Sequence, residues 1–196
     1  MSEFIELDLN ALLNKGSLPD PIMYQYYKNL SNNTIVINNE INDDLLEFAT
    51  LPLIEMNNNP EVESINIILN TGGGEIYNGF AFIAELEKVT KPTTLRIAGM
   101  AASMGGLIAM AKNPNLKVVC DKFSVGLVHS GSQCMSGSTH AVRDTFKFSE
   151  RYEEKIKDYI LSHTKITEEM YKEIERQEFW LDAEDMLKYG IVDEIL

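Results

Sequence analysis

Hydrophobic positions along the chain fall into short dense runs separated by longer stretches with helical spacing. Ser64-Ile65-Asn66-Ile67-Ile68-Leu69-Asn70 is apolar toward both faces, as a strand buried in a parallel sheet is. Thr34 to Ile37, Thr93 to Ala98, Leu116 to Cys120 and Phe123 to Val128 are shorter runs of the same kind. Between them, Asn42-Asp43-Asp44 caps a helix that runs to about Met56, with Leu45, Leu46, Phe48, Leu51 and Ile54 on its apolar side. Pro52 lies inside that pattern and should kink or split it. Further helices are expected from about Glu75 to Lys88, over Leu107 to Ala111, and from Thr139 to His163, where Val142, Phe146, Ser149, Ile156 and Ile160 recur on one side. A helix as long as the last usually projects from a small domain or crosses to a neighbour. Thr167 opens a short helix, and Asp182 caps a final one that stops at Tyr189-Gly190. Strands alternating with helices in this order predict an α/β fold with a mainly parallel sheet and right-handed crossovers. Functional loops of such sheets lie at the carboxyl ends of the strands. Residues 1–30 do not join the pattern: Lys15-Gly16, Leu18-Pro19 and Asp20-Pro21 interrupt it, and the segment reads as an arm ordered only against something else.

At 196 residues and 44% hydrophobic, the chain suits one well-formed core rather than two domains. No apolar run approaches the roughly 20 residues of a bilayer span, and the N-terminus is acidic, without a signal-peptide core. A cytoplasmic protein is expected. The net charge of −13 argues against a nucleic-acid binder that tracks phosphates. Cys120 and Cys134 have neither CxxC spacing nor neighbouring histidines, so no metal is expected.

Gly99-Met100-Ala101-Ala102-Ser103-Met104-Gly105-Gly106 joins a strand to an apolar helical run. A serine at such a turn, among residues with little side chain, has the look of a nucleophile elbow, although the same position is also a common N-cap. His129 ends a strand beside a loop rich in glycine and serine. With Ser103 it forms a candidate Ser–His pair; His140 and His163 read more simply as helix residues. An oxyanion hole needs two backbone N–H groups aimed at one point. Met104, just after the serine, is a natural donor, and the Gly72-Gly73-Gly74 turn supplies the second. A phosphate-cradling role for that turn is weak without the lysine or the spacing such loops carry.

The strings Ile67-Ile68-Leu69-Asn70-Thr71-Gly72-Gly73-Gly74, Gly99-Met100-Ala101-Ala102-Ser103-Met104-Gly105, Leu127-Val128-His129, Ser162-His163-Thr164 and Tyr189-Gly190-Ile191-Val192-Asp193 resemble the proteolytic subunit of the Clp protease family, collinearly from about Tyr24 to Leu196. The resemblance implies a ClpP/crotonase-type fold and a serine endopeptidase that cuts unfolded polypeptides. It also implies a homo-oligomer, a heptameric ring usually stacked on a second one around a closed chamber. ATP is used by a separate AAA+ unfoldase, and this subunit needs no cofactor. By position, Ser103 becomes the nucleophile, His129 the general base, and Gly74 and Met104 the oxyanion donors. Residues 24–196 form the peptidase domain behind an arm at 1–23, with the handle at about 130–165. Three departures stand out: Glu178 occupies the place of the usual triad aspartate, Gln177 that of an arginine linked to ring stacking, and Ser130-Gly131 that of Gln-Pro. Two other readings are a poorly active ring subunit serving as scaffold or regulator, and a crotonase-type acyl-CoA enzyme, which shares the fold and the paired N–H groups but needs no Ser–His pair.

Overall fold

In the computed structural model residues 20–196 are described. The chain begins with α1 (Pro21–Ser31), followed by β1 (Thr34–Ile37), a π-helical turn (Leu46–Thr50) and α2 (Leu51–Asn58). Then come β2 (Ile65–Thr71), α3 (Ile76–Leu86), β3 (Thr93–Ala102), α4 (Met104–Ala109), β4 (Leu116–Cys120) and β5 (Val125–Val128). The remainder is α5 (Thr139–His163), α6 (Glu168–Ile174), β6 (Phe179–Leu181), α7 (Ala183–Lys188) and β7 (Glu194–Ile195). The expected α/β order is therefore observed.

Two local expectations change. Asp20-Pro21 does not interrupt the chain but starts α1: the Asp20 carboxylate accepts the N–H groups of Ile22 and Met23, and Pro21, which has no N–H to lose, takes the first helical turn. The arm expected up to residue 30 is thus helical from Pro21, and residues 1–19 lie outside the described residues. The second change is at Pro52. A proline ring inside a helix collides with the carbonyl four residues back. The turn before it widens to a π-helical turn, with the Leu51 N–H bonded to Leu46 O and the Thr50 hydroxyl donating to Leu45 O at 3.1 Å. The extra residue rotates the buried stripe. Leu45, Ala49, Leu53 and Met56 face the core, while Leu46, Phe48 and Leu51 of the expected apolar side are exposed.

The seven strands form one sheet. β1, β2, β3, β4 and β7 lie side by side in that order and are parallel. Ile35, Ile65, Ile67, Leu69, Leu95 and Ile97 are buried on one face, where α2 and α4 pack on β2 and β3. On the other face Asn66 is exposed and Ile68 half-buried, so the burial expected on both sides of β2 is met on one only.

β3 divides its pairing between two neighbours. Thr93 to Ile97 run beside β4, whereas Met100 to Ala102 run beside β5. The ladder to β2 slips between Leu69 and Thr71, and the Asn70 side chain repairs the slip by accepting the Met100 N–H at 3.1 Å. Ser124, almost wholly buried, mends the other side: its hydroxyl donates to Ile97 O at 2.8 Å and accepts the Gly99 N–H at 3.3 Å. β5 in turn carries β6, which among the described residues is the sheet's one antiparallel partner. The forked end of β3 leads directly into Ser103.

Candidate active site

Ser103 has φ 54° and ψ −120°, a left-handed conformation that strains a residue with a Cβ by about 1–3 kcal/mol. It is pinned from both sides. Its N–H donates to Leu127 O at 2.9 Å, and its carbonyl accepts the Leu107 N–H of α4 at 3.2 Å. All residues of α4 are buried, so the serine stands on a rigid base.

His129 follows the last residue of β5 and is half-buried. Its Nε2 lies 2.8 Å from Ser103 Oγ. Strand pairing explains the meeting, because β5 runs beside the residues of β3 that end in the elbow. Among the described residues this is the imidazole's one hydrogen bond, so Nδ1 has no hydrogen-bond partner there.

The glycine turn abuts the same elbow. Gly73 has φ +100°, and a Cβ there would meet Ser103 Cβ at 2.6 Å, Ala102 O at 2.7 Å and Met104 N at 3.0 Å. Only a residue without a side chain permits that approach. The turn is held by Thr71, whose hydroxyl accepts the Gly73 N–H and donates to Asn39 O, and by a bridge to Ile41. The bridge uses Gly73 O and the Glu75 N–H and leaves the Gly74 N–H outside it. Beside Ser103 and His129 runs a cleft walled by Ile76, Met104, Leu107, Val128 and Ile156. Glu153, Glu154, Lys157 and Glu175 also line it, so the cleft next to the hydroxyl is mixed in character, with apolar and charged walls.

Glu178 has a divided position. β5 and β6 pair Leu127 with Trp180 and Val128 with Phe179. One more step of the same register sets His129 opposite Glu178, a spacing at which cross-strand side chains touch. The carboxylate nevertheless lies on the indole of Trp180, accepting its Nε1–H at 3.1 Å. Arg176 pairs with Glu173 at 3.9 Å, and the Gln177 N–H donates to Glu173 O. Asp182, the other nearby acid, caps α7 by accepting the Asp185 N–H at 2.8 Å, as its spacing suggests.

The remaining titratable candidates are accounted for. His140 is exposed on α5, and His163 is held between Tyr159 O and the Glu87 carboxylate. Cys120 is buried and Cys134 exposed. Among the described residues no cluster of three His, Cys, Asp or Glu surrounds a common point, and no helix is long and apolar enough to cross a membrane. Sequence reasoning marked the glycine turn but passed over Ile41 and the role of Trp180. For Trp180 a signal existed: residues two apart in an extended segment share a face, and Trp180 stands two after Glu178.

A family model described as Clp protease matches residues 19–196. Among individual proteins, the ATP-dependent Clp protease proteolytic subunit of Deinococcus radiodurans is 28% identical over 139 residues, covering 70% of this chain and 67% of that one. The ATP-dependent Clp protease proteolytic subunit 2 of Bacillus licheniformis is 26% identical over 167 residues, 85% of this chain and 87% of that protein. Translocation-enhancing protein TepA of Halalkalibacterium halodurans is 26% identical over 151 residues, 73% of this chain, and the match spans 57% of its length. With nearly the whole chain matched by one family and a parallel α/β sheet of the expected order, the protein belongs to the Clp protease family.

Proposed function

We propose that this chain is a proteolytic subunit of the Clp type, a serine endopeptidase acting on unfolded polypeptides and short peptides. The observation that carries the reading is the 2.8 Å contact of Ser103 Oγ with His129 Nε2 at a strained elbow. In the first step Oγ attacks the scissile carbonyl carbon while His129 takes the hydroxyl proton. The carbonyl oxygen gathers the negative charge and is met by the N–H groups of Gly74 and Met104. The tetrahedral adduct collapses as His129 returns the proton to the leaving amine, and the acyl group remains on Ser103. Water, deprotonated by the same imidazole, then releases the acid and restores the serine. Glu178 orients and stabilises the imidazolium, a task glutamate performs in some related triads. The cleft beside the serine receives the side chain that precedes the cut bond.

The same reading makes the subunit part of a homo-oligomeric heptameric ring, alone or stacked as a tetradecamer, in the cytoplasm. An AAA+ unfoldase spends the ATP, and the subunit itself uses no cofactor. Residues 24–196 form the peptidase unit, residues 1–23 the arm, and α5 the handle. The sparse burial of α5, where only Ile160 is enclosed, supports the last assignment.

A fluorophosphonate probe tests the reading. It should label Ser103, seen by peptide mass spectrometry, and labelling should vanish in Ser103→Ala and His129→Ala. Peptide hydrolysis should fall by about 10³ or more in both variants. Intact rings without labelling would favour the second reading, a ring subunit that serves as scaffold, to which the position of Glu178 on Trp180 lends support.

A further inference from the structure

We propose that Trp180 is a positioning residue of the site: its indole N–H holds the Glu178 carboxylate off His129 in the resting subunit, and release of that bond completes the triad. The inference rests on the serine-peptidase reading above.

Backbone and side chain disagree at one place. The β5–β6 ladder ends at Val128 and Phe179, and its register, continued by one step, points Glu178 toward His129, yet the carboxylate is bonded to the Trp180 Nε1–H at 3.1 Å. The imidazole Nδ1 has no partner among the described residues, and its other nitrogen is already on Ser103. Thus the candidate donor and acceptor flank the end of one strand pair, and a neighbouring donor holds the acceptor. Both Glu178 and Trp180 are exposed, so no packing locks the carboxylate in place. Rotation about the glutamate's own side-chain bonds carries it from one donor to the other, with the backbone unchanged. The additional methylene of glutamate over aspartate is what gives one carboxylate reach to both. Arg176, the nearest cation in sequence, is engaged with Glu173 and leaves the choice to the indole and the imidazole. As His129 takes the Ser103 proton it becomes a cation, and the balance tips toward it. The indole therefore sets a threshold: the triad is completed when charge develops on His129 rather than before.

Trp180→Phe keeps the ring and removes the N–H. In the assembled protein it should raise kcat by about threefold to tenfold, the range of one exposed hydrogen bond, with KM unchanged. The acid limb of kcat/KM should move to higher pH, because a carboxylate resting on His129 raises the imidazole pKa. The other charged groups lining the cleft, Glu153, Glu154, Lys157 and Glu175, are the same in both proteins. Adding Glu178→Gln to Trp180→Phe should erase the gain. A direct measurement is also available, since Trp180 is the one tryptophan of the chain. Ultraviolet resonance Raman of its indole N–H should show a bonded group in the resting protein and the loss of that bond in Glu178→Ala. Unchanged or lower kcat in a folded Trp180→Phe, or an indole band indifferent to Glu178→Ala, would overturn the proposal. Failure of the underlying reading looks different. Ser103 would then resist the fluorophosphonate in every variant, and the switch would fall with it even if the indole band moved.

Discussion

Ser103 holds a backbone conformation that its own side chain disfavours, and the neighbours that enforce it are visible: Leu127 on one side, Leu107 on the other, and Gly73 pressed against its Cβ. Replacing it by glycine should therefore stabilise the fold by about 1 kcal/mol relative to Ser103→Ala, since glycine adopts this φ without strain. Chemical denaturation of the two variants at equal concentration checks this, and equal stabilities would mean that the elbow is not strained. Much of this was legible in the sequence. Ala101, Ala102, Gly105 and Gly106 leave room for a sharp turn at a serine that ends a strand, and His129 ends a strand that parallel order brings alongside. The acid was harder to read. Glu178 is brought toward His129 only by the antiparallel register of a three-residue strand, too short for alternation to reveal. Phe179-Trp180-Leu181 could be seen as apolar, but not as the partner of β5.

Among the elements, α5 shows how a helix can be tethered at one end. Its first four turns carry no buried residue, and Phe146 and Phe148 are exposed, but its last turns dock through Ile160, Tyr159 and His163. The Tyr159 hydroxyl donates to Leu107 O at 3.3 Å, tying α5 to the helix that supports the serine. Burial, with the negative Glu87 nearby, pushes that hydroxyl well above the ordinary tyrosine range. The sign follows directly. As pH rises beyond about 10, an unfolded tyrosine loses its proton while Tyr159 keeps its own, so the folded state holds more protons and stability falls. Tyr159→Phe should lower stability near neutral pH by about 1 kcal/mol and flatten the alkaline decline. Denaturation midpoints from pH 8 to 11 measure both effects; parallel curves for the two proteins would refute the linkage. The period of α5 was plain in the sequence. The π-helical turn before Pro52 was not, because a proline says that a helix must yield without saying how.

Over the whole molecule, apolar surface and charge pull in opposite directions. Ile22, Tyr27, Phe48 and Leu51 are exposed along α1 and the π-helical turn, joined by the edge-on contact of Tyr26 with Phe48 at 5.3 Å. If such surfaces assemble the proposed ring, each copy also brings a net charge of −13. Repulsion among like subunits reaches farther as salt falls, with a screening length of about 10 Å at 0.1 M and about 30 Å at 0.01 M. Sedimentation velocity should accordingly show rings breaking into smaller species at low ionic strength; sedimentation independent of salt would rule out charge as the limit on assembly. The forked β3 has a consequence of its own. Ser103 follows the end of β3, whereas His129 and Glu178 both flank the antiparallel β5–β6 pair, joined to the fork by Ser124 and Leu127. The proposed base and the proposed acid are thus placed by one strand pair. A shift of that strand pair would therefore carry both side chains relative to Ser103 together, so the spacing of the proposed triad is set by one seam, the pairing of Met100–Ala102 with Val125–Leu127.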